Sequence, residues 1–120
     1  MSMFRIFNVS GSAVSAQSQR LNVVASNLAN VDTVAGPDRS PYKARQVVFQ
    51  TVPMGEVGSA GVAVTQVTED NTPGRRVLDP KHPQADANGY VTYSNVNAVE
   101  EMVNMILASR SDQNRSEEHT

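Results

Sequence analysis

Four apolar residues recur at intervals of seven near the start of the chain: Phe7, Val14, Leu21 and Leu28. A seven-residue period over four repeats suits an α-helix and excludes a strand, whose side chains alternate every two residues. Three places before each of them sit Phe4, Gly11, Ser18 and Ala25. The second seam position is thus mostly small, which lets a neighbouring backbone come close. No proline interrupts the stretch before Pro37, so residues 1–31 are expected to form one long amphipathic helix. Its intrinsic propensity is mediocre, because Gly11, the serines at 10, 12, 15, 18 and 26 and the β-branched Val14, Val23 and Val24 all lower it. Such a helix draws its stability from packing and is frayed or disordered alone. The stripe fits either one helix of an ordinary globular core or one member of an intermolecular bundle.

What remains to pack on the stripe favours the bundle. Of 120 residues, 18 are Val and 12 are Ala, whereas Leu, Ile and Phe number 4, 2 and 3, and Trp is absent. Small side chains bury little area each, so the chain is poor in core material for its length. Leu, Ile, Val and Phe make up 27 of the 120 residues, only just above the level of about 20% below which disorder is the expectation. The result is a marginal fold, or one that partners complete. Ten basic residues against twelve acidic ones leave a net charge of -2, with no basic field to displace counterions from nucleic acid. No run approaches the roughly 18 apolar residues of a membrane span, and the N-terminus lacks the pattern of a cleaved signal peptide. The absence of cysteine removes disulfides, thiol chemistry and Cys-based metal sites.

Past the first helix, Asn27, Asn30, Asp32 and Gly36-Pro37-Asp38 mark its end. A connector and β-rich middle is expected over 32–95. Val47 to Val52 and Val62 to Val67 read as a hairpin with a long Gly-rich link over 55–61. Arg75 to Leu78 and Tyr90 to Tyr93 are further extended pieces. Asn97 followed by Glu100 has the capping-box pattern and opens a second helix over 96–111, with Val99, Val103 and Ile106 as its stripe, widened by Met102 and Met105. The last residues, 112–120, contain no aliphatic or aromatic side chain and are expected to be a solvated, disordered tail.

Chemistry is present only in fragments. Asp79, His82 and Asp86 lie close together, but the spacing matches no metal motif, and a polar loop with one solvated imidazole explains them. His119 lies in the apolar-free tail. No nucleophile elbow or phosphate-binding loop is present. No catalytic, cofactor-binding or metal site is therefore assigned, and the chain is expected not to be an enzyme. Arg39, Lys43 and Arg45, and further on Arg75 and Arg76, are local basic clusters. Solvated faces account for them, with an acidic protein rim as the second reading and stacking beside Tyr42 on nucleic acid a distant third.

Ser26-Asn27-Leu28-Ala29-Asn30-Val31-Asp32-Thr33 closely resembles the Asn-Leu-Ala-Asn signature near the N-terminus of the flagellar axial proteins, a family of rod, hook and hook-junction subunits. Ala29 to Phe49 is similar to a proximal-rod member in particular, with Pro41-Tyr42 standing where most relatives are expected to have Gly-Phe. A second block, Asp79-Pro80, His82-Pro83, Asn88-Gly89-Tyr90-Val91 and Asn95-Val96-Asn97, resembles that subunit's approach to its last helix, and Val99-Glu100-Glu101-Met102-Val103-Asn104-Met105 its beginning. The resemblance implies an α+β fold in which long N- and C-terminal amphipathic helices pack as an antiparallel coiled-coil-like pair around a small irregular β-rich middle. Phe7, Val14, Leu21 and Leu28 would then pack against Val99, Val103 and Ile106. Asn27 and Asn30 would fix the helix end through side-chain to backbone bonds.

The same resemblance implies a structural subunit of the proximal rod in the periplasm, exported unfolded without a cleaved signal peptide, that helps transmit torque from motor to hook. Its partners would be other rod subunits, its own copies in a helical assembly and the export apparatus, with no nucleic acid and no membrane insertion. The alternative from another class is a soluble helix-binding module such as an export adaptor or chaperone. The resemblance also leads to the expectation of a longer last helix. Arg115 to Thr120 resembles a translated sequencing adapter, which reads as a spurious tail on a truncated frame.

Overall fold

The computed structural model describes residues 3–53 and 60–118, the side chains of 4–10 and 111–118 excepted. Most of the Gly-rich link, the Phe7 side chain, His119 and the side chains of the expected tail lie outside the described residues. Helix α1 spans Met3–Ala29, followed by strands β1 (Val34–Ala35), β2 (Arg45–Pro53), β3 (Ala60–Glu69), β4 (Arg76–Leu78) and β5 (Tyr90–Tyr93), and then helix α2 (Ala98–Glu118). The strands form two antiparallel sheets, the hairpin β2-β3 and a three-stranded sheet in the order β1-β5-β4.

The hairpin pairs from Arg45 with Glu69 up to Pro53 with Ala60. Its register shifts opposite Val48 and Phe49, where pairing passes from Gln66 to Val64 and skips Thr65. Val64 and Val67 are three apart and would point to opposite faces of a regular strand. The extra residue restores both to the face shared with Val47 and Phe49. Thr65 fastens the irregularity by donating its hydroxyl to the Val48 carbonyl at 3.2 Å.

In the second sheet β5 is central, and its Val91 is fully buried. Gly74 passes so close to this sheet that a Cβ there would collide with the Tyr93 carbonyl. Gly89 has φ +86°, the left-handed conformation that ends the turn into β5 and that side chains with a Cβ resist. Arg75 stacks 4.7 Å from the Tyr93 ring centre and Arg76 4.5 Å from that of Tyr90. The second basic cluster is thereby used within its own sheet.

Asp86 organises the loop from β4 to β5. Its carboxylate accepts the N–H groups of Asn88 and Tyr90, each at 2.9 Å, and the Arg76 guanidinium at 3.3 Å. The Tyr90 bond above all, helped by Asn88 and Arg76, outweighs desolvation and holds the Asp86 carboxyl below its ordinary value of 3.8. Asp70 is lowered likewise, first by the Thr72 N–H and then by the Thr72 hydroxyl. A group whose folded pKa is depressed stabilises the fold above its unfolded pKa and loses that contribution as pH falls through the folded value. Melting temperature should therefore drop on acidification through and below pH 3.8. Asp86→Asn should shrink that acid limb, read as melting temperature against pH.

The expected antiparallel coiled-coil-like pair of long terminal helices around a small irregular middle does not hold. The middle contains a regular hairpin with strands of 9 and 10 residues, and α1 lies more extensively against this hairpin than against α2. The physical reason is visible in the buried residues of α1, which among the described side chains are Ala13, Ala16, Val24 and Asn27. Joined through Arg20, they step by three and four and form one face. Val14, Leu21 and Leu28 lie about 100° further round the helix, with Val14 40% exposed and Leu21 and Leu28 half-buried. On α2 the inner face is Glu101, Asn104 and Ala108, while Val99, Val103 and Ile106 are 71%, 49% and 51% exposed. The apolar stripes of the two helices thus do not close on each other.

The molecule is elongated, at 65 × 25 × 15 Å with a radius of gyration of 19.4 Å, against about 14 Å for a compact domain of this length.

Candidate assembly surface and its polar junction

Asn27 stands at the centre of the fold with no exposed surface. Its side-chain oxygen accepts from the Arg45 N–H at 2.9 Å and from the Tyr42 hydroxyl at 2.9 Å. Its amide nitrogen donates to the Arg45 carbonyl at 2.8 Å and to Glu101 Oε2 at 3.0 Å. All four hydrogen-bonding positions of the primary amide are used. Toward Arg45 the amide does what a neighbouring strand would do, meeting both the N–H and the C=O on the outer edge of β2. One side chain of α1 thereby ties together the connector, the hairpin and α2. Ser12 fulfils a smaller version of the role on the other edge, where its Oγ accepts from the Val62 N–H at 3.0 Å.

Around this centre the polar contacts continue. Ser26 Oγ and Tyr42 Oη lie 3.0 Å apart. Asn30 Nδ2 donates back to the Ser26 carbonyl at 2.9 Å, which fastens the end of α1. Asn95 accepts from the Ala44 N–H at 2.7 Å and donates to the Asp70 carbonyl at 2.8 Å, and Ser94 donates to the Val31 carbonyl at 2.8 Å. Asn97 accepts from the Glu100 N–H at 3.0 Å as the cap of α2. Between α1, β2 and α2 a groove of about 370 Å³ is lined by Arg20, Arg45, Phe49 and Glu101 among others. There Arg20 donates to Asn104 Oδ1 at 3.2 Å and sits 5.9 Å from the Phe49 ring centre.

Tyr42 is the polar neighbour most easily tested, since only its hydroxyl joins the network. Tyr42→Phe leaves Asn27 Oδ1 one donor short and should cost about 1 kcal/mol in urea unfolding.

Asn27 and Asn30 of the family motif thus lie in the polar junction, and Leu28 lies half-buried beside it. Val14, Val99, Val103 and Ile106 lie on open surface, Leu21 on a flank, and the Phe7 side chain outside the described residues. His82 Nδ1 accepts the Gln84 N–H at 3.0 Å within its own loop. Among the described residues no group of three His, Cys, Asp or Glu is placed to hold a metal ion, and no helix is long and apolar enough to cross a membrane. Sequence reasoning missed Glu101, and it brought in Tyr42 only for the distant third reading of the first basic cluster. The available signal for the first was spacing, because Glu101 lies seven residues before Ala108 on the inner face of α2.

Two family models match the ends of the chain that meet at this junction. One, described as flagella basal body rod protein, covers residues 7–37. The other, described as flagellar basal body rod FlgEFG protein C-terminal, covers residues 87–111. The chain is 55% identical over 113 residues to the flagellar basal-body rod protein FlgC of Yersinia enterocolitica, covering 94% of this chain and 84% of that one. It is 53% identical to FlgC of Salmonella typhimurium with the same coverage. To FlgC of Buchnera aphidicola subsp. Acyrthosiphon pisum it is 46% identical over 117 residues, covering 94% and 85%. With a rod-protein match at each end and this similarity along most of its length, the chain belongs to the flagellar basal-body rod proteins, in the group named FlgC.

Proposed function

We propose that this structural rod subunit is built into the rod through the apolar stripes of its two helices, which its own fold leaves exposed on α2 and only partly covered on α1. The observation that carries this reading is the inversion of the helices. With Val24 as the exception, each turns small or polar residues inward (Ala13, Ala16 and Asn27 on α1; Glu101, Asn104 and Ala108 on α2) and keeps its other described aliphatic residues outward or on the flank. Exposed apolar surface of this kind marks a binding face. In the rod it meets other rod subunits and further copies of the same chain, packed head to tail in an open helical array. Segments 1–31 and 96–111 are the assembling parts, and the 32–95 region positions them.

The chain reaches that position through the flagellar export apparatus in an unfolded state and, once packed, helps carry torque from motor to hook. It acts as a structural element and not as a catalyst. The test is complementation of a strain lacking the gene with Leu21→Asp. The variant should be exported but absent from purified basal bodies, and the cells non-motile. Normal swimming would sink the proposal.

A further inference from the structure

Asn88-Gly89 is the single Asn-Gly pair in the chain. Such a pair is primed for ring closure, since a glycine without a Cβ leaves its peptide nitrogen open to the preceding side-chain carbonyl carbon. Asn88 is exposed, and its side-chain amide makes no hydrogen bond with a described residue. The backbone around it is held in three ways. The Asn88 N–H donates to Asp86 Oδ1 at 2.9 Å, the Gly89 N–H donates to the Asp86 carbonyl at 3.0 Å, and the Gly89 carbonyl accepts from the Asp79 N–H at 2.8 Å.

The geometry points to Asn88 as a site of spontaneous covalent modification, conversion through a succinimide to aspartate and isoaspartate, with Asp86 setting the rate by keeping the turn closed. In the first step the Gly89 nitrogen gives up its proton and attacks Asn88 Cγ. The N–Cγ bond forms, the Cγ–Nδ2 bond breaks, and ammonia leaves with that proton. Water then opens the five-membered ring. Opening at Cγ yields aspartate, and opening at the α-carbonyl yields isoaspartate, with the main chain rerouted through the side chain. Water is the only co-reactant. While the Gly89 N–H is engaged with the Asp86 carbonyl the nitrogen is not available, so reaction passes through a locally opened turn.

Either product places a second carboxylate beside Asp86. Isoaspartate also lengthens the backbone between Asp86 and Gly89, which breaks the bond from Asp79 and with it the left-handed turn into β5. The folded subunit is therefore protected, and the chain ages at Asn88 for as long as it is kept unfolded.

The test uses the purified full-length chain in mildly alkaline buffer. Peptide mapping by mass spectrometry and enzymatic methylation of isoaspartate locate and time the product. Modification should appear at residue 88, at least about tenfold faster in urea than in the folded chain, with folded Asp86→Ala between the two. No product at residue 88 in urea, or equal rates folded and unfolded, would overturn the inference. Should Asp86→Ala fail to fold by circular dichroism, the wild-type pair of rates alone decides.

Discussion

Asn27→Ala should cost this chain about 3 kcal/mol or more, a large part of the stability of a small domain. The substitution removes few contacts by area, so burial alone would predict a mild effect. What it leaves behind is severe. The Arg45 N–H and C=O lose their partner on the β2 edge, and the Tyr42 hydroxyl loses its acceptor. The carboxylate of Glu101, only 8% exposed, loses a donor. Each buried group left unsatisfied costs about 1–3 kcal/mol, more when charged. Asn27→Asp is informative beside it, because it keeps the acceptor for Arg45 and Tyr42 while setting a second carboxylate against Glu101. It should be at least as damaging as the alanine. Urea unfolding followed by circular dichroism checks both, and a loss below about 1 kcal/mol for Asn27→Ala would mean the junction is not what holds the three elements together.

The opposite pattern is expected on the outer face of α2. Val103→Asp combined with Ile106→Asp should change the stability of the isolated chain by less than about 0.5 kcal/mol per site, as exposed substitutions do, since both residues are about half exposed. In cells the double variant should be made and exported yet missing from basal bodies. Burying each aliphatic side chain between subunits contributes about 1.5–3 kcal/mol, and a buried, unpaired carboxylate costs several more. In a repeating array that loss recurs at every copy. Motility assays and gel analysis of purified basal bodies read the result. A destabilised isolated chain would mean the face is needed within the subunit, and normal incorporation would mean it is not an interface.

The two variants also separate what was legible in the sequence from what was not. Apolar periodicity locates both helices, because period is a property of the chain alone, and β-prone runs bounded by Gly and Pro place the hairpin and the strands ending at Leu78 and Tyr93. It does not say which face of α1 turns inward. The heptad of Val14, Leu21 and Leu28 is the more hydrophobic choice, yet the hairpin takes the alanine face, since Ala13 and Ala16 let the helix axis approach the sheet. That choice is made by the partner surface, where Val47 and Phe49 line a groove with Arg20 and Val24, and no local pattern on α1 encodes it. Asn27 and Asn30 stand out by motif, but the four bonds of Asn27 depend on Arg45 and Glu101, which lie 18 and 74 residues away. The Thr65 irregularity is encoded only indirectly, in the three-residue gap between Val64 and Val67.

The least dimension of the molecule is 15 Å. A helix with its side chains is about 10–12 Å across, so a body this thin is little more than one layer laid on another. A plate of these proportions bends easily by itself. In the assembly proposed above, resistance to twisting comes from clamping many such subunits together, so that shear in one is opposed by its neighbours. Loosening a single contact between neighbours should then soften the whole column long before it melts any one of its pieces.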